Sequence, residues 1–126
     1  MSGGRRAARR TALFLLYQWD LTGRPLASHF EGEIDPFARE LADAVARDAP
    51  ELDLRIDEAA EGWTAARMGI LERNVLRIGI HELADGTVPV EVAINEAVTL
   101  AKRYASDEAA RLVNGILGAI ARGAPA

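Results

Sequence analysis

Residues 70–85 read ILERNVLRIGIHELAD. At 100° per residue, Leu71, Val75, Leu76, Ile78, Ile80 and Leu83 spread over more than half of a helix circumference. The polar stripe left over is narrow: Arg73, Asn74, Arg77 and His81. A helix apolar over so wide an arc has to be covered from several sides, so this segment predicts the central helix of a bundle. Two carboxylates project into the apolar arc. Glu82 needs an arginine or backbone donors beside it, because an unpaired buried carboxylate is expensive. Glu72 lies in the first turn, where partial exposure or a partner surface accounts for it.

The flanking segments also read as helices. There is no sustained strand alternation and no Asn-Gly or Gly-Gly hairpin turn. A first helix is expected from Arg5 to Leu21, stopped by Thr22-Gly23 with Pro25 beyond. A second starts with Asp35 as cap and Pro36 in its first turn, with Phe37, Leu41 and Val45 on one face. Pro50 is expected to end it and to open a third helix with Leu52, Ile56 and Trp63 as its apolar stripe. A break is expected over residues 64–69. Beyond the central segment, a helix from Pro89 to Tyr104 turns Ile94, Ala97, Val98, Leu100, Ala101 and Tyr104 inward, and Asn95, Thr99, Lys102 and Arg103 outward. A last helix, capped by Ser106 with Asp107 and Glu108 in its first turn, runs to Arg122-Gly123. The tail GAPA is expected to fray. The fold class is all-α, a bundle with short connections.

The chain length of 126 residues fits one domain and is enough to bury a core. Absence of cysteine excludes disulfides, thiolate metal sites and a cysteine nucleophile, and two histidines cannot build a histidine-rich metal site. No apolar run has the length of a membrane span, and no leader-like cleavage site follows LFLLY, so the expected location is the cytoplasm. There is no phosphate loop, dinucleotide fingerprint or nucleophile elbow. His81-Glu82 lacks the second histidine of a zinc-protease motif, because position 85 is Asp. The expectation is a binding protein without enzymatic activity, metal or cofactor.

Charge is unevenly placed. Residues 1–10 hold Arg5, Arg6, Arg9 and Arg10 and no acid, +4, whereas the other 11 basic residues face all 19 acidic ones, −8. Four cations near a helix N-terminus oppose the macrodipole, which suggests an external anion. On the helical wheel Ala8, Ala12, Leu15 and Trp19 fall at roughly 280–340° from Arg5 and are expected to face the core. The arginines cover roughly 0–140°, and Leu13 and Tyr17 fall inside that arc. A tyrosine ring beside guanidinium groups suits single-stranded nucleic acid, with phosphates on arginine and a base on the ring. The plainer reading is that Tyr17 covers a neighbouring helix while the arginines are solvated. Gly115 and Gly118 inside the last helix suggest close approach by a neighbour, a helix sooner than an RNA strand.

Three blocks carry a resemblance: RRAARRTALFLLYQWDL, LERNVLRIGIHEL and VPVEVAINEAVTLAKRYASDEAARLVNGIL. Together they cover about half the chain, and in order and spacing they resemble the NusB family of bacterial transcription antitermination factors. The resemblance implies two small helical bundles packed into one compact domain over residues 1–126. It implies binding of single-stranded boxA RNA jointly with the ribosomal protein NusE, in a larger complex with other Nus factors and RNA polymerase. The outcome is processive rRNA transcription. Residue by residue, it implies an RNA surface of Arg5, Arg6, Arg9, Arg10, Leu13 and Tyr17, continued at the last helix by Glu108, Arg111 and Leu112. Some relatives carry an aromatic residue where Leu112 stands, and leucine does not stack in the same way. Glu72 is implied to face NusE, with Arg73 and Arg77 between the RNA and protein surfaces. Self-association occurs in some members of the family, so a homodimer is open. Two other readings of the residues stand beside it: a helical adaptor whose arginines meet an acidic protein, and a regulator whose arginine arm contacts duplex DNA.

Overall fold

A computed structural model describes residues 4–123; the expected fraying of the last three residues lies outside them. Five α-helices are present: α1 (Gly4–Thr22), α2 (Pro36–Ala59), α3 (Ile70–Asp85), α4 (Val90–Tyr104) and α5 (Asp107–Ala121). Short 3-10 turns at Leu26–His29 and Ala65–Arg67 flank α2, and no strand occurs among the described residues. Helices α1 and α2 pack together, α4 and α5 pack together, and α3 touches all four. The all-α expectation holds, and the central place of residues 70–85 with it. Residues 74–80 are buried without interruption, so Asn74 and Arg77 of the polar stripe are enclosed, with Arg73 and His81 partly exposed at its ends.

Local signals set most boundaries. The Asp35 carboxylate accepts from the backbone N–H of Phe37 at 2.8 Å and caps α2. Ser106 Oγ accepts from Ala109 N at 2.9 Å and caps α5. Gly86 ends α3 in the left-handed conformation, φ 71°, which a side chain would strain.

Pro50 does not divide two helices. Helix α2 runs straight through it, 24 residues in all. Proline removes one backbone donor from a helix interior. Here the ring faces solvent, and the buried stripe Leu41, Ala42, Val45, Ala49, Leu52, Ile56 continues unbroken on both sides of it. Packing along that stripe outweighs the missing hydrogen bond. Trp63 is consequently not part of a helical stripe: it lies beyond the end of α2, outside the core.

The two glycines of α5 pack against no helix. A Cβ at Gly115 would meet nothing within 4 Å, and one at Gly118 would meet only the Arg122 guanidinium at 3.3 Å. The close approach occurs at Gly79 of α3, where a Cβ would stand 2.6 Å from Leu117 Cδ1 and 3.4 Å from the Ala97 Cβ. Gly79 is what lets α3 seat against α4 and α5.

Candidate nucleic-acid interface

The buried face of α1 is wider than its pattern suggested. Leu13 is 0% exposed and Leu16 is equally enclosed, because α1 is covered by α2 on one side and α3 on the other. Leu13 is a core residue, which corrects its place in the exposed basic arc.

The four arginines separate into different environments. Arg9 is buried. Its Nε and Nη2 donate to the Glu82 carboxylate at 2.8 and 2.9 Å, and its Nη1 lies 3.6 Å from Glu96. This pairing meets the need of Glu82 for a partner and removes Arg9 from the surface. Arg6 is exposed and donates to both Glu96 oxygens, at 3.2 and 2.9 Å, which raises its pKa. Part of the anion demanded by the basic N-terminus is thus internal, supplied by α3 and α4. Arg5 leans onto α2, its guanidinium carbon 4.5 Å from the centre of the Phe37 ring. Arg10 is partly exposed and forms no ion pair among the described residues.

Arg10 shares its arc with Phe14, Tyr17 and Leu21, at 120–180° on the wheel. Phe14 is 44% exposed and stands edge-on to Tyr104 of α4, ring centres 5.0 Å apart. The Arg103 guanidinium carbon lies 5.6 Å from the centre of the Tyr104 ring. Phe14 and Tyr104 were not among the expected site residues. The wheel position of Phe14, opposite the core arc and beside Arg10, was the available signal.

Tyr17 and Tyr104 line a cleft of about 380 Å³ together with Gly69, Leu71, Glu72 and Ser106. A second cleft, about 570 Å³, shares Gly69, Glu72 and Ser106 with the first. Its other walls are Glu108, Arg111 and Leu112 from α5 and Trp63 and Arg67 from the turn before α3. The fold therefore joins two expected groups, around Tyr17 and around Arg111, that are more than 90 residues apart in sequence. Glu72 sits at the seam between them.

Arg73 and Arg77 point inward, which corrects their expected place between two binding surfaces. Arg77 spans Asp53 (Nη2 to Oδ2, 2.7 Å) and Asp20 (Nη1 to Oδ2, 2.9 Å). Arg73 Nε and Asn74 Nδ2 each donate to the same Asp20 oxygen at 2.9 Å. Burial alone would raise the Asp20 carboxyl, but hydrogen bonds from Arg73 and Asn74 and the charges of Arg77 and Arg73 hold it below its ordinary value. This network locks α1, α2 and α3 together. Every buried side-chain polar atom among the described residues has a hydrogen-bond partner.

Among the described residues, no cluster of His, Asp or Glu is arranged to hold a metal ion, and no helix is long and apolar enough to cross a membrane. What the site offers is a charged and aromatic cleft on an all-helical frame.

The NusB family model matches residues 6–122, and the chain belongs to that family. It is 39% identical to the transcription antitermination protein NusB of Rubrobacter xylanophilus, over 90% of this chain and 86% of that one. It is 40% identical to the namesake from Desulfitobacterium hafniense, over 90% and 84%. Among solved structures it superposes on T. maritima NusB with a TM-score of 0.86 and 29% identity, covering 100% of this chain and 96% of that one. It also superposes on a chain from a structure of antitermination factors NusB and NusE in complex with dsRNA, TM-score 0.80 and 31% identity over 98% and 99%.

Proposed function

We propose that this protein is a non-enzymatic transcription antitermination factor that binds single-stranded RNA of the boxA type together with the ribosomal protein NusE. The observation that carries the reading is the continuity of the two clefts: Tyr17 on one, Arg111 on the other, with Gly69, Glu72 and Ser106 common to both. A strand laid along them meets aromatic rings at Tyr17 and Tyr104 and cations at Arg10, Arg103 and Arg111. Unstacked bases suit such a surface, since a ring can receive a base only when the base is free of its neighbours. Glu72 and Glu108 can accept hydrogen bonds from exocyclic amino groups of bases. The names of the relatives support the role in antitermination, and the NusB–NusE–dsRNA complex supports the partner. Glu72, at the seam, is the residue assigned to contact with the ribosomal protein where it borders the RNA. The complex then acts with other Nus factors on RNA polymerase transcribing rRNA.

A fluorescence-anisotropy titration of a labelled boxA-like RNA tests this, with and without NusE, and with duplex RNA and duplex DNA as competitors. The expected result is binding tightened by NusE and displaced poorly by duplex DNA. Tyr17→Ala is expected to cost about 1–3 kcal/mol of RNA affinity. Equal competition by duplex DNA, or RNA affinity unaffected by Tyr17→Ala, contradicts the reading.

A further inference from the structure

We infer that Trp63 and Arg67 form an additional nucleotide subsite, which stacks one base of the bound RNA beyond the Tyr17 cleft. The inference rests on the RNA-binding reading and adds to it the segment between α2 and α3. Trp63 is 51% exposed and lies outside the core. It lines the larger cleft together with Arg67, Arg111 and Leu112, and with the carboxylates of Glu72 and Glu108. Neither arginine is in an ion pair among the described residues. An exposed indole sharing a cleft with two guanidinium groups outside any ion pair suits a base flanked by phosphates, since every base offers a face to the ring. A cleft of about 570 Å³ is within the range that holds a small ligand.

The segment is held in place. Asp57 Oδ1 accepts from Ala65 N at 2.7 Å. Arg73 Nη1 donates to the carbonyls of Ala65 at 2.9 Å and Met68 at 3.3 Å. Ala65 and Met68 are themselves buried. Two anchors and two buried side chains fix the turn that carries Trp63 and Arg67, so little ordering is left for the moment of binding. Arg73 serves here as a positioning residue, tying the turn to Asp20 of α1. Arg111 and Leu112 also line a neighbouring cleft with Glu61 and Gly115, and the space over Gly115 itself is open. The Trp63 subsite also supplies the stacking surface that Leu112, which has no ring, does not.

The chain has two tryptophans, so Trp19→Phe leaves Trp63 as the sole indole reporter. This variant is titrated with single-stranded RNA of about 12 nucleotides, a length that reaches past one cleft. Trp63 emission is expected to quench in step with the anisotropy of labelled RNA. Trp63→Ala is expected to lower affinity about 5- to 150-fold, Trp63→Phe to retain most of it, and Arg67→Gln to reduce the slope of log K against log salt by about 0.7. Thermal melts of the variants check that the fold is intact. RNA binding with unchanged Trp63 emission and full affinity in Trp63→Ala overturns the subsite and leaves the RNA-binding reading standing. No RNA binding by the unsubstituted protein, with or without NusE, overturns both. Quenching of Trp63 by NusE alone, with none added by RNA, assigns this wall to the protein partner and overturns the subsite.

Discussion

Arg9 and Glu82 meet 73 positions apart in sequence as a bidentate ion pair, Nε at 2.8 Å and Nη2 at 2.9 Å, with both side chains only 5% exposed. The pair ties the start of α1 to the end of α3. Removing one member leaves the other buried and unpaired, so Arg9→Ala or Glu82→Ala is expected to cost about 3–5 kcal/mol in urea unfolding. Replacing both by apolar residues of similar volume should recover much of that loss. If Arg9→Ala unfolds like the parent protein but loses RNA binding, Arg9 belongs to the surface after all.

The Asp20 carboxylate gives stability a pH dependence. Its folded pKa is lowered, so its contribution is complete above the unfolded value, about 3.9. The contribution is lost as pH falls through the lowered folded value. Asp20→Asn should therefore unfold more readily at neutral pH and show a flatter stability profile on the acid side. Parallel profiles for variant and parent would exclude this role for Asp20.

Gly79 and Gly115 should respond to alanine in opposite directions. At Gly79 the new methyl group meets Leu117, which is fully buried and cannot swing away. Overpacking of about 1–3 kcal/mol exceeds the helix-propensity gain of about 1 kcal/mol, so Gly79→Ala should lower Tm. At Gly115 the space is open, and the propensity gain stands alone. Chemical denaturation of both variants measures the difference, and a stabilised Gly79→Ala would show that α3 and α5 can separate without cost.

Sequence pattern gave the helices, their caps and the central place of residues 70–85, because each of these is written locally in periodicity or in a capping side chain. It failed at Pro50, where long-range packing of one continuous stripe overrode a local breaker. The candidate surface was less legible. Helical angle alone put Arg9 and Leu13 on the outside, since it does not report how many neighbours a helix has. Arg73 and Arg77 belong to the polar stripe of the central helix, but their acidic partners Asp20 and Asp53 lie on two other helices, out of reach of any local pattern. Helical spacing from Leu52 and Ile56 puts Trp63 on a buried stripe, and only the real end of α2 at Ala59 places it outside the core.

The salt dependence of RNA binding tests the central claim most directly. With Arg9 internal and Arg6 shared with Glu96, the cations proposed to meet the strand are Arg67 and Arg111 in the larger cleft and Arg10 and Arg103 beside the Tyr17 and Tyr104 rings. Four phosphate contacts on a single strand give a slope of log K against log salt of about −3, and Arg10→Ala should bring it about 0.7 nearer zero. RNA binding with no salt dependence, or a slope unmoved by Arg10→Ala, Arg103→Ala and Arg111→Ala together, would contradict an RNA path along these clefts.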